Sequence, residues 1–471
     1  MVNKGRPSRD CTPCKRRKLR CDLQVGSCGQ CLRAKLMCYG YRQDNELIIY
    51  DETGKTARKV LARHHQPHPP HSPQLGNSPQ LAWDVRARHT FFSLYVERLS
   101  QNCTHLGSLY ARASTIGQLA SSVDALSLAL VAFQFDSLEL MRLANSRYVG
   151  AIRGVGQALR NVQTAVSDET LQSVMLLDLY EKITNRNSKN SYSWMSHAQG
   201  ALSLVIKRED GNITSPQFGQ LASRVLSTFT ISCGVLAVPV PEQLFALRKS
   251  LDRIMVSSKW NFVTLLMDTV NLRADSLSAG ANANEIANRA KKLERTLSNL
   301  EENLPEHWRP KRICVSERNE RTLGSYYDIY SSHYITQVCN AIRIQRLEMN
   351  VLIRSYDPAS AEGAEETISH ISNQICASAP YFILPGARPE NKEPFSSLQR
   401  LQCVNLLVAL YAAAYSSSDT KLKEWITGTM EYIVEKGHLK VAKNIADILR
   451  DNPDTDIWTV YARTGCYAIA A

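Results

Sequence analysis

Six cysteines within the first 38 residues limit this chain more than any other feature. Cys11, Cys14, Cys21, Cys28, Cys31 and Cys38 follow the pattern C-x2-C-x6-C, then six residues, then C-x2-C-x6-C again. Each cysteine of the second half lies 17 residues after its counterpart. Structural zinc takes four ligands in a tetrahedron, and a repeated C-x2-C is a common sequence form of such a site. Six sulfurs are too many for one ion. They can hold two ions if two sulfurs each bridge both metals. The internal repeat favours equivalent members of the two halves as bridges, and Cys11 with Cys28 is the natural pair. Two Zn²⁺ ions held by six thiolates keep a net negative charge, which nearby cations and backbone N–H groups stabilise.

The chain supplies such cations. Pro13 lies between Cys11 and Cys14, where proline suits the first turn of a helix. Lys15-Arg16-Arg17-Lys18-Leu19-Arg20 then predicts one short helix carrying five cations. The matching stretch of the second half, Leu32 to Met37, has only Arg33 and Lys35. The halves share a scaffold but not a surface. A disulfide framework would need an oxidising compartment, and no apolar segment of the signal type follows Met1. A metal site that only staples the fold explains the cysteines but not the charge between Cys14 and Cys21.

The run from Cys11 to Asp22, C-T-P-C-K-R-R-K-L-R-C-D, resembles the start of the fungal binuclear zinc-cluster transcription factors. The resemblance implies two Zn²⁺ ions on Cys11, Cys14, Cys21, Cys28, Cys31 and Cys38, with the first and fourth cysteines bridging. It implies double-stranded DNA as partner. Lys18 falls at the position that reads bases, usually a CGG triplet in the major groove. It further implies a nuclear regulator acting with the RNA polymerase II transcription machinery. Control of one pathway of secondary metabolism, a role that shorter members often have, follows by the same analogy. Family members often read paired triplets as homodimers. One departure is visible: the family usually has a proline two positions before the fourth cysteine, where this chain has Gly26.

Charge agrees with a nucleic-acid partner. The chain carries a formal +12. Residues 1–42 hold eleven basic and two acidic side chains, a net of +9, which leaves +3 for the other 429 residues. Such a local excess is the electrostatic footprint of phosphate binding. A basic run alone would read as an import signal or a solvated face. Enclosed between Cys14 and Cys21 it is held rigid, which makes Lys15, Arg16, Arg17, Lys18 and Arg20 candidate DNA contacts. The alternative is a zinc-stapled module whose basic face meets acidic protein partners.

Three regions are expected: the zinc module at 1–42, an extended or disordered linker at 43–83, and a large all-α regulatory domain at 84–471. The stretch 62–82 is rich in Pro and His and poor in apolar residues. No apolar heptad repeat spans 43–82, so no zipper is present to impose a dimer. Beyond it, Phe91, Phe92, Leu94, Tyr95 and Leu99 predict an amphipathic helix near Trp83. Ser167 reads as an N-cap with Asp168 and Glu169 in the first turn. Trp194, His197, Ala201 and Leu204 share one helix face, with His197 a partly buried core residue. Further helices are expected over 283–303, 325–354, 365–378, 396–416, 420–434 and 437–450. The stretches around Ser167–Glu181 and Trp194–Ala201 resemble the middle region of fungal-specific transcription factors, over roughly 84 to 300.

No enzyme signature is present. Gly154-Val155-Gly156 lacks the third glycine of a dinucleotide loop, and no phosphate-loop, zinc-protease or nucleophile-elbow motif occurs. The other seven cysteines are scattered singly. The apolar stretches near 125–133 and 404–415 are expected to be core helices too short to span a membrane. Asp451 to Trp458 mixes acids with an aromatic residue, as activation segments do, and is equally a loop closing a helix.

Overall fold

A computed structural model describes residues 10–41, 79–100, 103, 105–113, 117–184, 192–209, 216–317 and 319–465. The chain divides into two units, Met1–Gly76 and Asn77–Ala471. The expected linker lies mostly outside the described residues, as do Arg42 and the histidines of 64–71.

The first unit contains two five-residue helices, Thr12–Arg16 and Gly29–Arg33. Cys11 and Cys28 are their N-caps, both in extended backbone at φ −62°, ψ 152° and φ −68°, ψ 146°. Helices this short do not persist alone in water. The sulfurs at their N-termini anchor them.

Among its described residues the second unit is all-α apart from one antiparallel pair of strands. Its helices build three adjoining cores. In the first, Pro79–Thr90 runs into Phe91–Leu99, which winds as a π-helix and buries Phe91, Tyr95, Val96 and Leu99. Gln118–Phe135 packs between Leu138–Ala158 and Asp168–Thr184. At 18 residues it is long and apolar enough to cross a membrane, contrary to the expectation for 125–133. Burial of 61% of it inside the domain explains its composition: a helix covered on most faces is apolar all round.

The second core gathers Tyr192–Glu209, Pro216–Leu236, Glu242–Leu251, Ser258–Ser276 and Ala283–Glu302. The third holds Ala361–Ser378, Ser397–Ser416, Thr420–Gly437 and Lys440–Asp451. His333–Tyr356, 24 residues long, lies against both, with Val338, Ile342 and Met349 in one core and Leu347 in the other.

The expected helix at 325–354 needs correction. Tyr326–Ile329 is a β-strand paired antiparallel with Lys311–Cys314, with Lys311 opposite Ile329. The aromatic and β-branched residues of Tyr326-Tyr327-Asp328-Ile329 suit a pleated surface. The helix starts only at His333, where the Ser332 hydroxyl accepts the Ile335 N–H at 3.3 Å. Ser167 caps its helix as expected, accepting the Thr170 N–H at 3.2 Å.

Two motifs prove structural. Trp458 is buried, and its indole N–H donates to Glu348 at 2.6 Å. Asp456 caps the Ile457–Thr464 helix through the Thr459 N–H and pairs with Arg273 at 3.0 Å. The acid and aromatic pattern of 451–458 is therefore a helix start. His197 meets the Tyr148 hydroxyl at 3.3 Å, and burial pushes its pKa below the usual imidazole value. The Trp194 side chain is outside the described residues.

Candidate metal centre and nucleic-acid interface

All six N-terminal cysteines converge. Cys11, Cys14, Cys21 and Cys28 form one set whose sulfurs lie within 4.8 Å of one another, and Cys11, Cys28, Cys31 and Cys38 form another. The sets share Cys11 and Cys28, the two residues that the 17-residue repeat picks as bridges. The sulfurs of Cys11 and Cys28 are 3.6 Å apart, those of Cys11 and Cys31 3.6 Å, and those of Cys14 and Cys28 3.5 Å. A zinc tetrahedron with Zn–S of about 2.3 Å has edges of about 3.8 Å, so the donor sets fit two zinc ions. None of the six is in a disulfide.

The backbone repeats with the sulfurs. Leu19 N–H bonds the Cys14 carbonyl at 3.0 Å, and Leu36 N–H bonds that of Cys31 at 3.0 Å. Lys18 and Lys35 both take the left-handed region, at φ 54° and 51°. Left-handed residues end helices, and cations there complement the dipole.

Electrostatics explain why the set needs metal. Cys31 is pushed up to about 12, first by burial and then by the Cys28 sulfur. Burial also opposes ionisation of Cys28, but the Cys31 N–H and the neighbouring thiols outweigh it and bring it down to about 6. Six crowded sulfurs cannot all ionise without a cation to offset their charge. Zinc supplies it, so binding releases protons.

Lys15, Arg16, Arg17, Lys18 and Arg20 are all exposed. Their placement differs from one cationic helix. Only Lys15 and Arg16 are helical; Arg17 is the C-cap, Lys18 is left-handed, and Arg20 follows outside any helix. The bond from Leu19 to Cys14 turns the chain out of the helix so that Cys21 can return to the sulfur cluster.

Asp22 was not among the expected site residues. Both its oxygens accept the Gly29 N–H, at 3.1 and 2.9 Å, which ties the loop after Cys21 to the start of the second helix. A Cβ on Gly29 would come within 2.6 Å of the carboxylate. The Tyr41 hydroxyl closes the same loop by donating to the Gln24 carbonyl. The signal for Asp22 in the sequence is its place beside a ligand-type cysteine and opposite a glycine.

Gly26 sits at φ 91°. Proline is held near −65°, so the residue usual here could not take this backbone. Gly26→Pro should lower the resistance of the module to chelators, with a cost of about 1–3 kcal/mol from the forced backbone. Competition with a zinc chelator measures it, and unchanged resistance would mean that the loop adapts freely.

Two family models match the chain. The fungal Zn(2)-Cys(6) binuclear cluster domain covers residues 9–46. The fungal specific transcription factor domain covers residues 91–355, more than half of the chain. The chain belongs to the fungal-specific transcription factor family. It is a fungal transcription regulator whose N-terminal domain binds two zinc ions. The match in the helical unit extends further than the stretch of 84 to 300 read from the sequence. No curated protein and no solved structure matches this regulator. Both matched families are regulator domains rather than enzymes.

Proposed function

We propose that this regulator binds specific duplex sites in the nucleus and controls transcription by RNA polymerase II there. Residues 1–42 are the DNA-binding part, 43–83 the linker and 84–471 the regulatory part. Cys11 and Cys28 bridge the zinc ions; Cys14 and Cys21 complete one site, and Cys31 and Cys38 the other. Lys15, Arg16, Arg17 and Arg20 meet phosphates, and Lys18 pairs with guanine O6 and N7 in a CGG-like triplet. One observation carries this reading: five cations are exposed on a segment pinned at both ends by cluster cysteines, so its shape is set before it meets DNA. Pairing of two copies on paired triplets and a target pathway in secondary metabolism rest on the family resemblance alone.

Selection from random duplexes by the full chain should return an enriched triplet, with affinity falling steeply as salt rises. Lys18→Ala should cost about 1–3 kcal/mol and relax preference at one base pair. Lys15→Ala should weaken all sequences alike and lower the salt slope by about one. An absent motif together with a flat salt response would leave the module as a site for acidic protein partners.

A further inference from the structure

The helical domain contains an apolar cavity of about 100 Å³. It lies where Pro216–Leu236, Ser258–Ser276, His333–Tyr356, Ser397–Ser416 and Ile457–Thr464 meet. This is the seam between the second and third cores, walled by Phe262, Val338, Ile344, Val408 and Trp458. Protein interiors are close-packed, and voids larger than a water molecule are few per domain. The size is of the order of the ~150 Å³ engineered cavity that binds benzene.

Besides the Trp458 indole and the Tyr461 phenol, four polar side chains reach the wall: Ser227, Lys259, Gln337 and Gln345. Three have partners. The Ser227 hydroxyl donates to the Ser223 carbonyl at 3.0 Å. Gln345 accepts from Thr269 at 2.7 Å, and Gln337 from Asn405 at 3.2 Å. Lys259 differs. Its side chain is half-buried, no carboxylate among the described residues lies within ion-pair distance of it, and its ammonium lies 5.8 Å from the Tyr334 ring. Burial, with the Arg224 guanidinium nearby, pulls its pKa down to about 8. The Glu348 carboxylate is taken up by the Trp458 indole N–H at 2.6 Å and is not on the wall. An ammonium held against apolar surface without a counter-ion is costly, and an entering anion relieves that cost.

We propose that this cavity receives a small monocarboxylic acid with one ring or a short branched chain. Its carboxylate pairs with Lys259, and its hydrocarbon body packs against Trp458 and Phe262. Such a ligand touches five helices from two cores at once and stabilises the domain by mass action. The site is independent of how the zinc module reads DNA.

Benzoate and benzyl alcohol, titrated separately into the full-length zinc-loaded chain, test the proposal. Tryptophan emission, to which Trp458 contributes with five other tryptophans, reports on occupancy, and Tm reports on stabilisation. Benzoate should act saturably on both and bind about tenfold or more tighter than the alcohol, as one desolvated charge-assisted pair requires. Lys259→Met should remove that advantage and leave the alcohol bound. Ala341→Leu, whose fold is checked by circular dichroism, fills the cavity and should abolish both. No saturable response to benzoate, equal affinity for acid and alcohol, or undiminished benzoate binding by Lys259→Met overturns the proposal. Should Lys259→Met fail to fold, benzoate binding that survives in Ala341→Leu overturns it instead.

Discussion

Replacing Cys28 by serine should strip both zinc ions from the chain and abolish its specific DNA binding. Cys28 is common to both sulfur sets, caps the second helix and accepts the Cys31 N–H at 3.3 Å. Its loss removes a ligand from each site at once. The two short helices then lose the anchors that keep them folded, because in structural zinc sites metal-binding energy is folding energy. Cys38→Ser gives the contrast, since Cys38 belongs to one set only. It should release one zinc more readily and leave the other in place. Zinc per chain, measured on purified full-length protein, separates the two variants. A Cys28→Ser protein that keeps two equivalents would show that the bridges lie elsewhere.

The second large effect is expected far from the metal. Glu301→Ala should destabilise the helical domain by about 3–5 kcal/mol, because it leaves buried charge unpaired. One oxygen of Glu301 accepts from Arg343 at 2.8 Å and the other from Arg346 at 2.8 Å. Both arginines are buried. Arg343 would keep only neutral partners, the Tyr330 hydroxyl at 2.9 Å and the Asn340 side-chain oxygen at 3.1 Å. Arg346 would keep Glu294 at 2.7 Å. The pairs tie Ala283–Glu302 to His333–Tyr356, the helix that lies against two cores. Lys443→Ala breaks the pair with Asp447, whose side chains are 62% and 37% exposed. Water already screens that pair, so its loss should cost about 0.5 kcal/mol or less. Thermal melts of the variants decide the matter. Equal melting of Glu301→Ala and wild type would mean that the buried pairs add nothing net.

The metal centre was legible because cysteine spacing is a local code. Zinc needs four soft ligands at fixed distances, and a 17-residue repeat of three cysteines makes three equivalent pairs, of which Cys11 and Cys28 head the two halves. The helical character of the second unit was legible for a similar reason: the Ser167 cap and the 3.6-residue apolar spacing act within a few residues of themselves. What failed was context. The segment at 325–332 becomes a strand because Lys311–Cys314 lies beside it, a partner that its own residues do not announce. The cations after Cys14 leave their helix after Arg16 because Leu19 bonds back to Cys14 and Cys21 must return to the cluster. Gly26 reads as a missing proline in the sequence, whereas at φ 91° it is a backbone that proline cannot take.

By themselves the residues determined the chemistry at the N-terminus and the class of fold behind it, because ligand spacing, caps and helical period are short-range. Only the tertiary structure decided that Arg343 and Arg346 share one carboxylate, that Asp22 clamps Gly29, and that Lys259 faces an apolar hollow without a counter-ion. These depend on which helices become neighbours, and that choice is made by packing across the whole domain.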